Sequence, residues 1–342
     1  MKTIDIQIIN DDCIRALRRL SAKSIHCCVT SPPYWGLRDY GVVGQMGLEE
    51  TPEEYIAKMV QAFREVWRVL RDDGTLWLNL GDSYATGTKA ERQQSKNPGV
   101  GANNLAAQNS VRRIGTPKGL KTKDLVGIPW MVAFALRADG WYLRSDIIWA
   151  KSNPMPESVT DRPTKAHEYI FLLSKSANYY YDAEAIAEPV TKSTVKRLNQ
   201  DVEHQIGSAR VLDKTNGNMK AVAPRFGGNK YTRDPDAFYR TKSGNIYEYH
   251  DKRNKRTVWT VATKPYKEAH FATYPPELIE PCILAGCPVG GIVLDPFVGS
   301  GTTLEVAAKL GRNSVGIELN PDYINLIEKR VKPYREQGIL FA

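Results

Sequence analysis

Residues 4–8 alternate apolar and polar side chains (Ile4, Asp5, Ile6, Gln7, Ile8), which is the two-residue period of a half-buried strand. Residues 11–20, DDCIRALRRL, switch to helical spacing behind two acids that suit a helix N-terminus. The largely apolar run Ile25-His26-Cys27-Cys28-Val29 predicts a second strand. Thr51-Pro52-Glu53-Glu54 then marks a helix start with proline in the first turn, and apolar residues recur at helical spacing until Asp73-Gly74. A strand at 75–80 (TLWLNL), a helix at 125–138 and strands at 143–150 (LRSDIIWA) and 168–173 (EYIFLL) follow. Near the end the pattern resumes as strand 291–294, helix 304–310 and strand 313–319. Alternating strands and helices predict an α/β fold built on a parallel sheet.

Two polar stretches interrupt this alternation. Residues 84–120 are rich in Gly, Asn, Gln, Ser and basic side chains without periodicity, which predicts a mobile loop. Residues 191–260 interleave Phe226, Tyr231, Phe238, Tyr239, Tyr247 and Tyr249 with Arg225, Lys230, Arg233, Arg240 and Lys242, a mixture able to meet both phosphates and bases. Charge sharpens the point. Residues 84–130 carry eight Lys/Arg against two acids and 191–260 fifteen against seven, whereas the whole chain is only +9. The excess positive charge is thus concentrated in two segments on an otherwise slightly acidic body, the footprint of a polyanion-binding protein.

With 342 residues, 42% of them hydrophobic, the chain can bury a large core. It has no apolar run long enough for a membrane span and no secretory signal pattern at MKTIDIQIIN, so a cytoplasmic location without membrane contact is expected. Cys13, Cys27, Cys28, Cys282 and Cys287 form no CxxC pair and have no histidines at zinc spacing, so they are expected to be reduced and to hold no metal.

Two motifs carry chemistry. The first, TSPPYWG at 30–36, directly follows a predicted strand. Its prolines stiffen the chain into a spur and leave the Ser31 and Pro32 carbonyls as acceptors, while Tyr34 and Trp35 offer flat faces. That set suits a planar ring bearing an amino group. The second, DPFVGSGTT at 295–303, joins a predicted strand to a predicted helix. Gly299 and Gly301 allow close backbone approach, the helix N-terminus favours a carboxylate, and Glu318 ends the next strand where an acid commonly binds ribose hydroxyls. Neither GxGxxG nor GxxxxGK[ST] is present, so dinucleotide and nucleoside triphosphate cradles are absent. S-adenosylmethionine fits better, with its carboxylate at the helix end, its ammonium at Asp295 and its ribose at Glu318.

Together with HFATYPPELI at 270–279, these motifs resemble the amino-group DNA methyltransferases that act on N4 of cytosine or N6 of adenine. Their order resembles the circularly permuted β group. The likeness covers about 1–82, 124–175 and 264–332. It implies a Rossmann-like, doubly wound methyltransferase sheet: a catalytic half at 1–190, a target-recognition region at 191–260 and a cofactor-binding half at 261–342. The resemblance assigns amine binding to Ser31 and the Pro32 carbonyl, with Pro33 completing the motif and Tyr34 stacking on a flipped base. It gives S-adenosylmethionine contacts to Asp12 (the adenine amine), Phe271, Thr273, Asp295, Phe297, Gly299, Ser300, Gly301, Thr302, Thr303 and Glu318. Serine before Pro-Pro-Tyr accompanies N4-cytosine enzymes more often and aspartate N6-adenine enzymes, so cytosine N4 is favoured, with adenine N6 as the alternative.

The implied partners are double-stranded DNA, a second copy of the chain and a cognate restriction endonuclease. Methylation of RNA or of a protein glutamine is a more distant reading, and a catalytically dead nucleic-acid-binding module a third. A cytosine-C5 enzyme needs an activated thiolate, whereas the Pro281-Cys282 pair sits in a helical pattern, ELIEPCILAG, that predicts a buried thiol.

Overall fold

The computed structural model describes residues 4–85, 116, 119–191, 252–264 and 274–336. Most of 84–120 and 191–260, together with Phe271 and Thr273, lie outside the described residues. The strands are β1 (Ile6–Asn10), β2 (Ile25–Thr30), β3 (Leu70–Leu80), β4 (Tyr142–Ala150), β5 (His167–Ser174), β6 (Glu188–Pro189), β7 (Lys252–Arg253), β8 (Val258–Thr260), β9 (Ile292–Asp295) and β10 (Asn313–Glu318). The helices are α1 (Cys13–Arg19), α2 (Pro52–Val69), α3 (Ile128–Ala138), α4 (Pro276–Gly286), α5 (Thr302–Lys309) and α6 (Pro321–Glu336).

The chain divides into two compact units, one formed by Met1–Ala185 with Arg256–Ala342 and the other by Ile186–Lys255. In the smaller unit β6 and β7 pair antiparallel. The larger unit is built on an eight-stranded sheet in the order β1-β10-β9-β2-β3-β5-β4-β8.

From β1 to β3 the neighbours are parallel, as the alternation predicts. β5 departs from it, running antiparallel to both β3 and β4. The reason is the 151–166 link, which contains no helix, and a parallel return needs a crossover of that kind. The sheet is therefore mixed.

Successive residues on its strands face opposite layers. Cys28, Leu76, Leu78, Leu80, Val315 and Ile317 join one core with α1, α2 and α3. Cys27, Thr75 and Trp77 approach Gly286 of α4, while Gly316 approaches Leu304 of α5. The sheet is thus covered on both faces.

Thr51 begins α2 through a reciprocal capping box with Glu54, and Tyr55, Met59, Phe63 and Val66 form its buried stripe. The helix ends at Val69, ahead of the Asp73-Gly74 stop expected from sequence, because the fully buried Leu70 already pairs with Ile25 of β2. The register then shifts so that Cys27 meets Thr75, and the polar residues 71–74 are taken up in the irregularity. All five cysteines are buried and outside any disulfide, Cys282 within α4 despite Pro281.

No described helix is long and apolar enough to cross a membrane. Among the described residues no cluster of His, Cys, Asp or Glu is placed to hold a metal ion.

This topology brings the two chemical motifs together. β9 leads through α5 toward one edge of the sheet and β2 through α2 toward the other, so the crevice between them is the switch point where α/β sheets bind ligands.

Candidate active site

Thr30, Asp295 and Glu318 end three parallel strands, so they lie on one edge of the sheet. Asp295 is only 1% exposed. Its Oδ1 accepts from Thr30 Oγ1 at 2.6 Å and from the Phe297 amide at 3.0 Å. Its Oδ2 accepts from Tyr274 Oη at 2.9 Å and from Thr303 Oγ1 at 2.5 Å. Burial pushes this carboxyl up and the four donors pull it back. From the sequence, Asp295 is expected to meet a cofactor ammonium. Here its oxygens are already engaged, and the residue ties together the strand before the spur, the glycine loop, α5 and Tyr274.

The loop after Asp295 turns its side chains inward. Ser300, Thr302 and Thr303 are buried, and Phe297 packs against the main core. Ser300 Oγ accepts from Arg330 of α6 at 3.1 Å. Gly301 precedes α5 with φ of 86°, a left-handed turn suited to glycine, and gives the helix no side-chain cap. A Cβ on Gly299 would meet no atom within 4 Å, so space opens beside the loop. The N-terminus of α5 at Thr302 follows within three residues of this glycine.

Glu318 reaches back to this loop. Its Oε2 accepts from the Gly299 amide at 2.9 Å and its Oε1 from the Asn320 amide at 2.8 Å. Burial nevertheless pushes its carboxyl up to about 7, with the charge of Asp295 adding to the effect. The ionised form is the better acceptor for ligand hydroxyls, so cofactor binding should release a proton near neutrality and weaken as pH falls from 8 toward 6. Calorimetry in buffers of differing ionisation heat checks this; an affinity independent of pH would count against Glu318 as a ligand acceptor, and Glu318→Gln should abolish the dependence.

Asp12 stands at the same edge, since β1 pairs with β10 and the Asp11 amide donates to the Glu318 carbonyl at 3.1 Å. Its Oδ1 caps α1 by accepting from the Arg15 amide at 3.0 Å.

The spur is fixed at several points. Tyr55 of α2 donates to the Pro33 carbonyl at 2.8 Å, and the Gly36 amide donates to the Gly47 carbonyl at 2.8 Å. Pro32 is buried. Trp35, expected to offer a free face, is instead 3% exposed in the main core, with its indole N–H donating to the Glu49 carbonyl at 3.1 Å.

Tyr34 is therefore the aromatic of the spur that stays partly exposed. Its ring lies on Gly81, where a Cβ would come within 2.5 Å of Cε2. Its hydroxyl is 2.7 Å from Glu168 Oε2 and 3.1 Å from Asn79 Oδ1, and Ser31 Oγ donates to it at 3.4 Å. Burial, and then the Glu168 charge, push the phenol well up, keeping it a neutral donor.

Thr30, Tyr274, Asn79, Gly81 and Glu168 were not singled out from sequence. Thr30 was legible as part of TSPPYWG, and Tyr274 as part of HFATYPPELI. The other three sit in ordinary strand ends and gave no local signal.

A family model described as DNA methylase, of the N6/N4 type, matches residues 25–329. The type II methyltransferase M.Cfr9I of Citrobacter freundii is 44% identical over 326 residues, covering 95% of this chain and 87% of that protein. M.SmaI of Serratia marcescens is also 44% identical, with 95% and 90% covered. Two solved structures share the fold. The PvuII DNA methyltransferase (cytosine-N4-specific) superposes with a TM-score of 0.57 at 16% identity, covering 100% of this chain and 89% of that one. TTHA0409 from Thermus thermophilus, complexed with S-adenosyl-L-methionine, gives 0.53 at 22% identity, with 98% and 97% covered. Spur and glycine loop both fall inside the matched span, and the chain belongs to the N6/N4 DNA methylase family.

Proposed function

We propose that the chain moves a methyl group from S-adenosylmethionine to the exocyclic amine of a base flipped out of duplex DNA, with N4 of cytosine as the target. The observation that carries this reading is the 2.6 Å bond from Thr30 to Asp295. It joins the residue before Ser31 to the start of the glycine loop, so amine-binding and cofactor-binding groups share one crevice.

The residues fit that cofactor. The uncapped N-terminus of α5 suits its carboxylate, Glu318 its ribose hydroxyls and Asp12 its adenine amine. Asp295 holds the loop in shape. Phe271 and Thr273 keep the contacts implied by resemblance. When bound, S-adenosylmethionine supplies an electrophilic methyl group on a sulfonium.

An aryl amine is a poor nucleophile because its lone pair is delocalised into the ring. Ser31 Oγ and the Pro32 carbonyl accept its two N–H groups and localise the lone pair, while Tyr55 keeps the Pro33 carbonyl engaged elsewhere. The face of Tyr34 seats the base. Orientation then supplies much of the acceleration, and no covalent enzyme intermediate is required.

The basic segments 84–120 and 191–260 supply DNA contacts, the second as the target-recognition region. A second copy of the chain is a further proposed partner. So is a cognate endonuclease, a reading supported by the type II designation of the two relatives.

The test is to incubate the protein with S-adenosylmethionine and unmethylated genomic DNA, then weigh the nucleosides. N4-methylcytosine is expected. N6-methyladenine alone would move the target to adenine, and no methylated nucleoside would overturn the reading.

A further inference from the structure

Beneath the spur lies a charged pair that methyl transfer does not itself require. Glu168, the second residue of β5, and Lys151, one residue beyond β4, form an ion pair with side chains only 14% and 20% exposed. Because β5 is antiparallel, its first residues emerge at the edge where β3 and β4 end, with Tyr169 opposite Leu80 and His167 opposite Ala150. The strand that breaks the parallel pattern thus carries Glu168 to the rim of the site.

Glu168 Oε2 accepts from Tyr34 Oη at 2.7 Å and from Asn79 Nδ2 at 3.3 Å, and its Oε1 accepts from Lys151. Asn79 is held in turn by a 3.0 Å bond to the Tyr169 carbonyl. The Lys151 ammonium lies 4.7 Å over the Trp149 ring, whose N–H donates to the Val261 carbonyl at 2.8 Å. Gly81 packs closely against the Tyr34 ring, and the Glu168 cluster grips it by the hydroxyl.

Desolvating a carboxylate and an ammonium is costly, and an apolar pair of similar volume is often as stable. The pair therefore needs a reason beyond folding. Tyr34 turns about two side-chain torsions, and each orientation would place its ring differently against a base.

We infer that Glu168 is a positioning residue for methyl transfer: held by Lys151, it anchors the Tyr34 hydroxyl and fixes the ring on which the target base sits. This rests on the reading of Tyr34 as the base-facing group.

A double-mutant cycle tests it, using Glu168→Ala, Tyr34→Phe and the pair combined. Single-turnover transfer of labelled methyl to unmethylated genomic DNA gives the rate, calorimetry the cofactor affinity and thermal melting the fold. Each single variant should lose roughly tenfold in rate, within the cost of a small misplacement. The double should lose no more than the larger single. KM for DNA and cofactor affinity should stay near wild type, and Tyr34→Phe should keep its melting temperature, whereas Glu168→Ala should melt lower because it leaves Lys151 unpaired. Glu168→Gln, which keeps an acceptor for the hydroxyl, should recover most of the rate.

Multiplicative losses in the double variant, or a wild-type rate in Glu168→Ala, overturn the inference. Should Glu168→Ala fold poorly, Glu168→Leu with Lys151→Met replaces the whole pair and carries the same cycle. Tyr34→Ala separates this inference from the reading beneath it. A wild-type rate there refutes both, whereas a large loss there alongside multiplicative behaviour in the cycle refutes the anchor alone.

Discussion

Asp295→Ala is expected to lower the melting temperature sharply and to cut cofactor affinity by tenfold or more, with Asp295→Asn falling between it and wild type. The substitution removes the shared acceptor of Thr30, Phe297, Tyr274 and Thr303 at a site only 1% exposed. Buried donors left without an acceptor cost about 1–3 kcal/mol each before any rearrangement. The three hydroxyls can partly turn toward one another, so a net loss of about 2–4 kcal/mol in stability is expected. The Phe297 amide cannot turn, and its release loosens the loop before Gly299. Asparagine should be milder because burial already disfavours the charge on Asp295, and an amide keeps one acceptor in place without it. Thermal melting and calorimetry on the three proteins give the ranking. Equal melting and equal affinity for wild type and Asp295→Ala would show that the four contacts hold nothing together.

Why this knot was invisible in the sequence is a matter of range. Thr30 and Asp295 are separated by 265 positions and Tyr34 and Glu168 by 134, so neither pair leaves a mark in a local window. What could be read was local. The helix start at Thr51-Pro52, the strand alternation at residues 4–8, and the strand-loop-helix around Gly299 and Gly301 each draw their signal from neighbours a few positions apart.

The errors have the same origin. Trp35 looked like a free ligand face because its neighbours are prolines and a tyrosine, but α2 and the Glu49 carbonyl, contributed from farther along the chain, bury it. Locally the glycine of Asp73-Gly74 is the stronger stop for α2, yet pairing of Leu70 with Ile25 decides the boundary. The direction of β5 depends on a connection without a helix, and the alternation of apolar residues within a strand carries no sign of its direction. Chemical motifs are easier to read locally than topology is, because Ser31 to Tyr34 and Asp295 to Thr303 are each continuous. Their meeting in one crevice is what the sheet order adds.

Ser31→Ala should lower kcat by about a hundredfold while leaving cofactor affinity and duplex binding nearly unchanged. Its hydroxyl proton points toward Tyr34 Oη at 3.4 Å, which leaves the oxygen lone pairs available as acceptors at the rim. An acceptor facing the target amine matters little while the amine is conjugated with its ring. It matters most as the lone pair localises and the N–H bonds acquire positive character. An interaction that strengthens in this way lowers kcat and kcat/KM together when removed, and losing one preorganised group at a reacting centre costs on the order of 10²–10³ in rate. The rest of the spur should be little disturbed, because Pro33 is held by Tyr55, and Tyr34 keeps its 2.7 Å bond to Glu168 when the longer contact from Ser31 is lost. Single-turnover methyl transfer, paired with calorimetry for the cofactor, separates the two effects. A rise in KM at constant kcat would assign Ser31 to ground-state binding of the base. A fall in cofactor affinity matching the fall in rate would place it among the cofactor contacts and remove it from the chemistry of the amine.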